Sequence, residues 1–138
     1  MRDDVGAFMK FRYAFYDEPV QEPYFNEYLN MIALGFSSYY FNDDYFEEPC
    51  VFVLREWSDA TIRFADSSQH FPIADKMAPV DEVLAIEIQD ATLKILANLL
   101  NGEVVWFEFD SPKCLIYKNS SISGWFEGGT TLSVQILD

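Results

Sequence analysis

The sequence predicts an α+β, β-rich domain, built on a predominantly antiparallel sheet of about six to eight short strands with one or two short helices. Three observations carry that prediction. Several separate segments alternate apolar and polar residues with the two-residue period of a strand. Turn-forming clusters such as Asn101-Gly102 and Ser111-Pro112 punctuate them. The chain has 138 residues, half of them hydrophobic, which suits one folded domain over residues 1–138 with a real core.

Residues 7–16 alternate, with Met9, Phe11, Tyr13 and Phe15 on one face and Lys10, Arg12 and Ala14 on the other. Asp17-Glu18-Pro19 ends that strand. Residues 22–34 admit two readings. Phe25, Tyr28, Leu29 and Ile32 follow helical spacing, with Pro23 near the first turn and Gly35 at the end. Residues 29–36 also read as a buried strand. The reading adopted is a short helix followed by an extended segment. Asn42-Asp43-Asp44 forms a turn or loop tip, because Asn and Asp bond readily to their own backbone. Residues 50–57 read as a strand, with Val51, Val53 and Arg55 opposite Phe52, Leu54 and Glu56. Ser58-Asp59-Ala60 is a turn, and residues 61–65 return to complete a hairpin. Residues 66–80 contain Pro72 and Pro79 and form a long connection or hold one helical turn.

Residues 83–89 form a strand, with Val83, Ala85 and Glu87 opposite Leu84, Ile86 and Ile88. Asp90-Ala91 is a tight turn. Asn101-Gly102, flanked by Leu99-Leu100 and Val104-Val105, is the strongest local signal and predicts a type I′ hairpin pairing 92–100 with 103–109. The rival reading is a helix over 91–100, with Asp90 as N-cap and Leu93, Leu96, Ala97 and Leu100 on one face. The hairpin is preferred. Ser111-Pro112 turns the chain again, residues 113–117 form a strand, and 119–124 with Gly128-Gly129 are rich in turn residues. Residues 130–137 are a last alternating strand.

Charge narrows the function. With 23 acidic and 9 basic residues the formal charge is −14. Phosphate backbones and anionic membrane surfaces are repelled, so neither nucleic acid nor membrane is an expected partner. A basic protein is the favoured partner, and steering speeds such an encounter. Solubility is the competing use of the charge. Residues 13–54 hold eight carboxylates, thirteen aromatic residues and no Lys or Arg. The densest part runs Tyr39-Tyr40-Phe41-Asn42-Asp43-Asp44-Tyr45-Phe46-Glu47-Glu48. Tyrosine offers a large rigid face with a polar tip, and carboxylates beside it pair with Lys or Arg, which also stacks on the rings. The candidate partner-binding residues are therefore Tyr39, Tyr40, Asp43, Asp44, Tyr45, Glu47 and Glu48. On the competing reading the acids are a solvated rim, and Phe25, Phe36, Phe41 and Phe46 belong to the core.

Catalytic constellations are poor. His70 is the only histidine and sits in a polar loop. Cys50 and Cys114 lie in apolar strand-like contexts and are expected as buried free thiols. Gly124 and Gly128-Gly129 match no phosphate-binding pattern. Asn42, Asp43, Asp44, Glu47 and Glu48 supply oxygen ligands of the kind calcium prefers, but their spacing does not match an EF-hand and its central Gly is missing. Two Cys and one His are too few for structural zinc. No enzyme activity, cofactor or metal is expected. Met1-Arg2-Asp3-Asp4 leads into no apolar signal segment, and no apolar run reaches the roughly 20 residues of a membrane span. A cytoplasmic location is the expectation.

The run Met31-Ile32-Ala33-Leu34-Gly35-Phe36, then an acidic loop, then Val51-Phe52-Val53-Leu54-Arg55, resembles the amino-terminal half of one family of bacterial toxin-immunity proteins. That family has no invariant functional motif, so no residue role carries over. The resemblance implies a non-enzymatic inhibitor that neutralises a cognate toxin, a basic nuclease, by masking its active cleft with carboxylates in place of phosphates. Two alternatives remain: a DNA-mimicking acidic inhibitor, and a structural or accessory subunit whose aromatic segment is buried between copies.

Overall fold

A computed structural model describes residues 14–15, 18–41, 44–119, 121–122 and, as a strand, 132–137. In chain order the elements are β1 (Glu22–Asn26), β2 (Met31–Phe36), β3 (Tyr39–Phe41), β4 (Asp44–Phe46), β5 (Cys50–Arg55), β6 (Asp59–Phe64) and β7 (Phe71–Pro72). They continue with α1 (Ile73–Lys76), β8 (Val80–Gln89), β9 (Thr92–Leu99), β10 (Val104–Asp110), β11 (Lys113–Lys118) and β12 (Leu132–Leu137). The strands form two five-stranded sheets, ordered β1-β2-β5-β11-β12 and β7-β6-β10-β9-β8, and the separate hairpin β3-β4. Every pairing is antiparallel. The β-rich, antiparallel expectation holds, with α1 as the one short helix among the described residues. The expectation of a single sheet of six to eight strands does not, because the chain alternates between two sheets.

The two sheets share one core. Ile32, Leu34, Phe52, Leu54 and Ile116 from the first meet Ile62, Leu93, Ile95, Phe107 and Phe109 from the second in a single buried cluster. Strict alternation builds the second sheet's inner face: Leu93, Ile95, Ala97 and Leu99 on β9 are buried, while the residues between them are partly exposed. The first sheet is covered on both faces. On its far side Ala33, Val51 and Val53 pack with Ile122, flanked by Tyr24, Met31 and Tyr117. Hence residues 50–54 of β5 are all buried and read as an unbroken apolar run.

Local chemistry explains where sequence expectations fail. Residues 22–34 form the β1–β2 hairpin, with Glu22 opposite Gly35 and Asn26 opposite Met31. Asn26 Oδ1 accepts hydrogen bonds from the N–H groups of Tyr28 and Leu29, at 3.0 and 3.2 Å, and Asn30 adopts a left-handed φ of 46°. That turn stops the helical spacing from being realised. Gly35 lies within β2, where a Cβ would approach Glu22 Cβ to 3.2 Å, so it serves close strand packing and caps no helix. The predicted hairpin of 50–57 with 61–65 is also absent. Glu56 turns left-handed (φ 55°) and the Ser58 N–H donates to the Asp110 carbonyl at 2.9 Å, carrying the chain into the other sheet. Two register shifts in β8, between Val80 and Glu82 and between Val83 and Ala85, break its predicted alternation. Val83 and Ile86 are both buried, and Leu84 is 40% exposed. Of the predicted strand 7–16, Ala14 and Phe15 form a turn and are both buried, and the other residues lie outside those described.

Other turns stand as predicted. Asp90-Ala91 links β8 to β9, with Asp90 at φ 55°, and Ser111 turns the chain after β10 at φ 51°. The Asn101-Gly102 hairpin forms, which excludes the helix over 91–100, but the turn type differs. Gly102 alone is left-handed (φ 90°); its N–H donates to the Leu99 carbonyl at 3.0 Å, and the Leu99 N–H donates to the Glu103 carbonyl at 2.9 Å. This is a three-residue connection with a bulge glycine. Nothing lies within 4 Å of a Cβ placed at Gly102, so Gly102→Ala meets only backbone strain. It is expected to lower stability by about 1–2 kcal/mol, read from the urea midpoint, with Gly102→Asn losing less.

Candidate functional site

Where β2 and β5 would be joined by a tight turn, the chain instead extrudes the β3–β4 hairpin. Cross-strand pairs set its geometry: Tyr39 opposite Phe46, Tyr40 opposite Tyr45, and Phe41 opposite Asp44. Neighbouring residues on a strand point to opposite faces, so the hairpin has an inner and an outer side. Inside, Tyr39 is fully buried and stacks on Phe46, with ring centroids 5.2 Å apart, and Phe41 and Phe46 pack against the main core. The Tyr40 N–H donates to the Ala14 carbonyl at 2.8 Å and ties the hairpin down. Outside, Tyr40 and Tyr45 form a tilted pair with centroids 4.9 Å apart, 38% and 46% exposed.

Charges surround this framework. Asp44 and Glu47 are exposed. Glu48 is half-buried and accepts a hydrogen bond from the Tyr39 hydroxyl at 3.1 Å. Burial, then the bond to Glu48 and its negative charge, push the Tyr39 phenol well above its ordinary range. At neutral pH Tyr39 therefore keeps its proton and donates to Glu48. A cation reaches the inner side from the other end of the sequence: Lys118 Nζ on β11 lies 4.5 Å from the Phe41 ring centre and 5.4 Å from that of Phe46.

Of the seven candidate residues, the fold brings Tyr40, Asp44, Tyr45 and Glu47 together on an exposed projection. Glu48 is joined to them through its bond to Tyr39. Tyr39 itself faces the core and supports the hairpin from beneath. Asp43 lies outside the described residues. Phe36, Phe41 and Phe46 are buried or partly buried, as the competing core reading required, and Phe25 is partly buried against the same cluster.

A second polar cluster lies on the outer face of the second sheet. Glu108 on β10 is 3.7 Å from Arg63, 3.5 Å from His70 and 3.9 Å from Lys94. Thr61 Oγ1 lies 3.3 Å from His70 Nδ1. The sequence-distant partners meet because β10 pairs Glu108 with Thr61 on one side and Lys94 on the other. Only the register fixed by the 100–102 turn could have revealed this. Cys50 and Cys114 are fully buried inside the sandwich, so neither thiol meets His70 on that surface. Among the described residues no three His, Cys, Asp or Glu side chains group as a metal site, and no helix is long and apolar enough to cross a membrane.

Fold and site together define a class: an antiparallel two-sheet β-sandwich that carries an aromatic, acidic hairpin. No family model matches this chain, and no curated protein or solved structure matches it.

Proposed function

We propose that the protein is a non-enzymatic, protein-binding inhibitor of the toxin-immunity kind, and that the β3–β4 hairpin masks the cleft of a basic toxin domain in the cytoplasm. The observation that carries this reading is the outward Tyr40–Tyr45 pair, on a hairpin that also exposes the carboxylates of Asp44 and Glu47. Aromatic side chains held rigid by a packed underside make good anchors, because little rotamer entropy is lost on contact. Carboxylates around them steer a cationic partner and pair with its Arg or Lys. The DNA-mimic alternative needs its acids in one row. Here Asp59 and Asp90 are exposed at one end of the sandwich and Asp66 and Glu103 at the other, which favours the hairpin reading.

The test is affinity capture with the intact chain as bait, followed by binding kinetics on the retained protein. The expected partner is basic, and its on-rate falls steeply with added salt. Replacing both Tyr40 and Tyr45 by Ala weakens binding about thirtyfold or more. Asp44→Lys with Glu47→Lys slows association at low salt. Binding that ignores both double variants, with circular dichroism unchanged, rejects the hairpin as the interface.

A further inference from the structure

The two sheets do not meet evenly along β1. Just before β1, the Val20 N–H donates to the Asp81 carbonyl at 2.8 Å and fastens the first sheet's edge to β8. Alongside β1 itself a cleft of about 360 Å³ opens between this edge strand and residues 74–80. Phe25 forms one wall, Met77 and Ala78 the other, and Leu34 and Val80 the floor. Among the described residues Glu27 is the only charged one that lines it.

We propose that this cleft binds an aliphatic chain carrying a cationic head group. Its volume lies within the range of small-molecule sites, and most of the side chains that line it are apolar. Leu34 and Val80 also line a small internal void between the sheets, together with Phe52 and Phe107. Leu34 and Val80 therefore separate the cleft from the interior of the sandwich. Glu27 sets the head group: its carboxylate at the rim, on a chain of net charge −14, attracts an ammonium and repels a carboxylate. This site is independent of the β3–β4 hairpin and does not rest on the inhibitor reading.

The probes are n-hexylamine, n-octylamine and n-decylamine, with n-decanoate for comparison, titrated into the intact chain at neutral pH and below their micelle-forming concentrations. Affinity is read by calorimetry and location by amide chemical shifts. The amines are expected to bind with shifts centred on Phe25, Met77 and Ala78. Each methylene that enters raises affinity about fourfold, the transfer value of a buried CH₂. Decanoate binds at least about tenfold more weakly than decylamine, and Glu27→Gln narrows that gap. Ala78→Trp fills the cleft and abolishes the chain-length dependence. Amine binding of equal strength at all three chain lengths is surface charge attraction alone and overturns the proposal. So does equal binding of decanoate, or no binding by any amine, even if a protein segment docks on the same edge. Glu27→Gln, an exposed change, keeps the test decisive should Ala78→Trp fail to fold.

Discussion

Raising the pH from about 8 to about 11 is expected to lower the stability of the protein steadily, through three buried groups whose ionisation burial opposes. Cys50 and Cys114 are fully buried, and burial pushes both thiols far up; the negative charges of Glu48 and Glu18 add to the effect at Cys50. Tyr39 is raised by burial first and by Glu48 second. In the unfolded chain the thiols titrate near 9.0 and the phenol near 10.0. Because the folded values lie above these, the stability they contribute is fully present below the unfolded values. It is lost as pH rises toward the folded ones. Each group removes about 1.4 kcal/mol per pH unit above its unfolded pKa. The three losses add, so the slope steepens above the unfolded value of the phenol. Urea midpoints measured across this window should fall steeply, with ionisation of Tyr39 detected only as the chain unfolds. Cys50→Ala with Cys114→Ala should flatten the slope. A midpoint that stays level through the window in the parent chain would contradict the burial of all three groups.

How much of this architecture is legible in the sequence depends on whether a segment's preference is local. The 92–110 region reads correctly because alternation and turn chemistry agree there: apolar residues at Leu93, Ile95 and Ala97 meet Val105, Phe107 and Phe109 across a glycine turn. Residues 22–34 mislead because Phe25, Tyr28, Leu29 and Ile32 do fall at helical spacing. Tyr28 and Leu29, however, form an exposed hairpin tip, 92% and 57% exposed, and contribute nothing to the core. The sheet assignment is not legible at all. Whether the chain after Arg55 folds back or crosses over is decided by the left-handed Glu56 and by a hydrogen bond from Ser58 to Asp110, a residue distant in sequence.

The candidate site shows the same division. Its aromatic and acidic character is plain from residues 39–48. Which tyrosine faces out is not plain, because Tyr39 and Tyr40 are neighbours of identical chemistry on opposite faces of one strand. Only the packing of Tyr39 over Phe46, with its bond to Glu48, settles the parity. Lys118 is invisible to any local reading, since β11 reaches the hairpin through its pairing with the start of β5. The segment with no countercharge in its own sequence thus acquires one in space.

Phe52→Ala is expected to destabilise the protein by about 3–5 kcal/mol, the largest loss from any single truncation considered. Phe52 is 1% exposed on β5, the strand between β2 and β11, and stands opposite Leu34 on one side and Ile116 on the other. Its ring centre lies 5.0 Å from that of Phe15, which in turn stacks on Phe36 at 4.0 Å, so one side chain links both ends of the aromatic core. It also borders the internal void beside Phe107. Truncation would therefore enlarge an existing gap rather than open an isolated one, and neighbours already fixed in paired strands cannot collapse into it. Phe52→Leu keeps most of the volume and should lose less than about 1.5 kcal/mol. Tyr28→Ala removes a ring that is 92% exposed and should change the urea midpoint little, within about 0.5 kcal/mol. If Phe52→Ala proved as mild as Tyr28→Ala, with an unchanged denaturant slope, the two sheets could not share the core described for them.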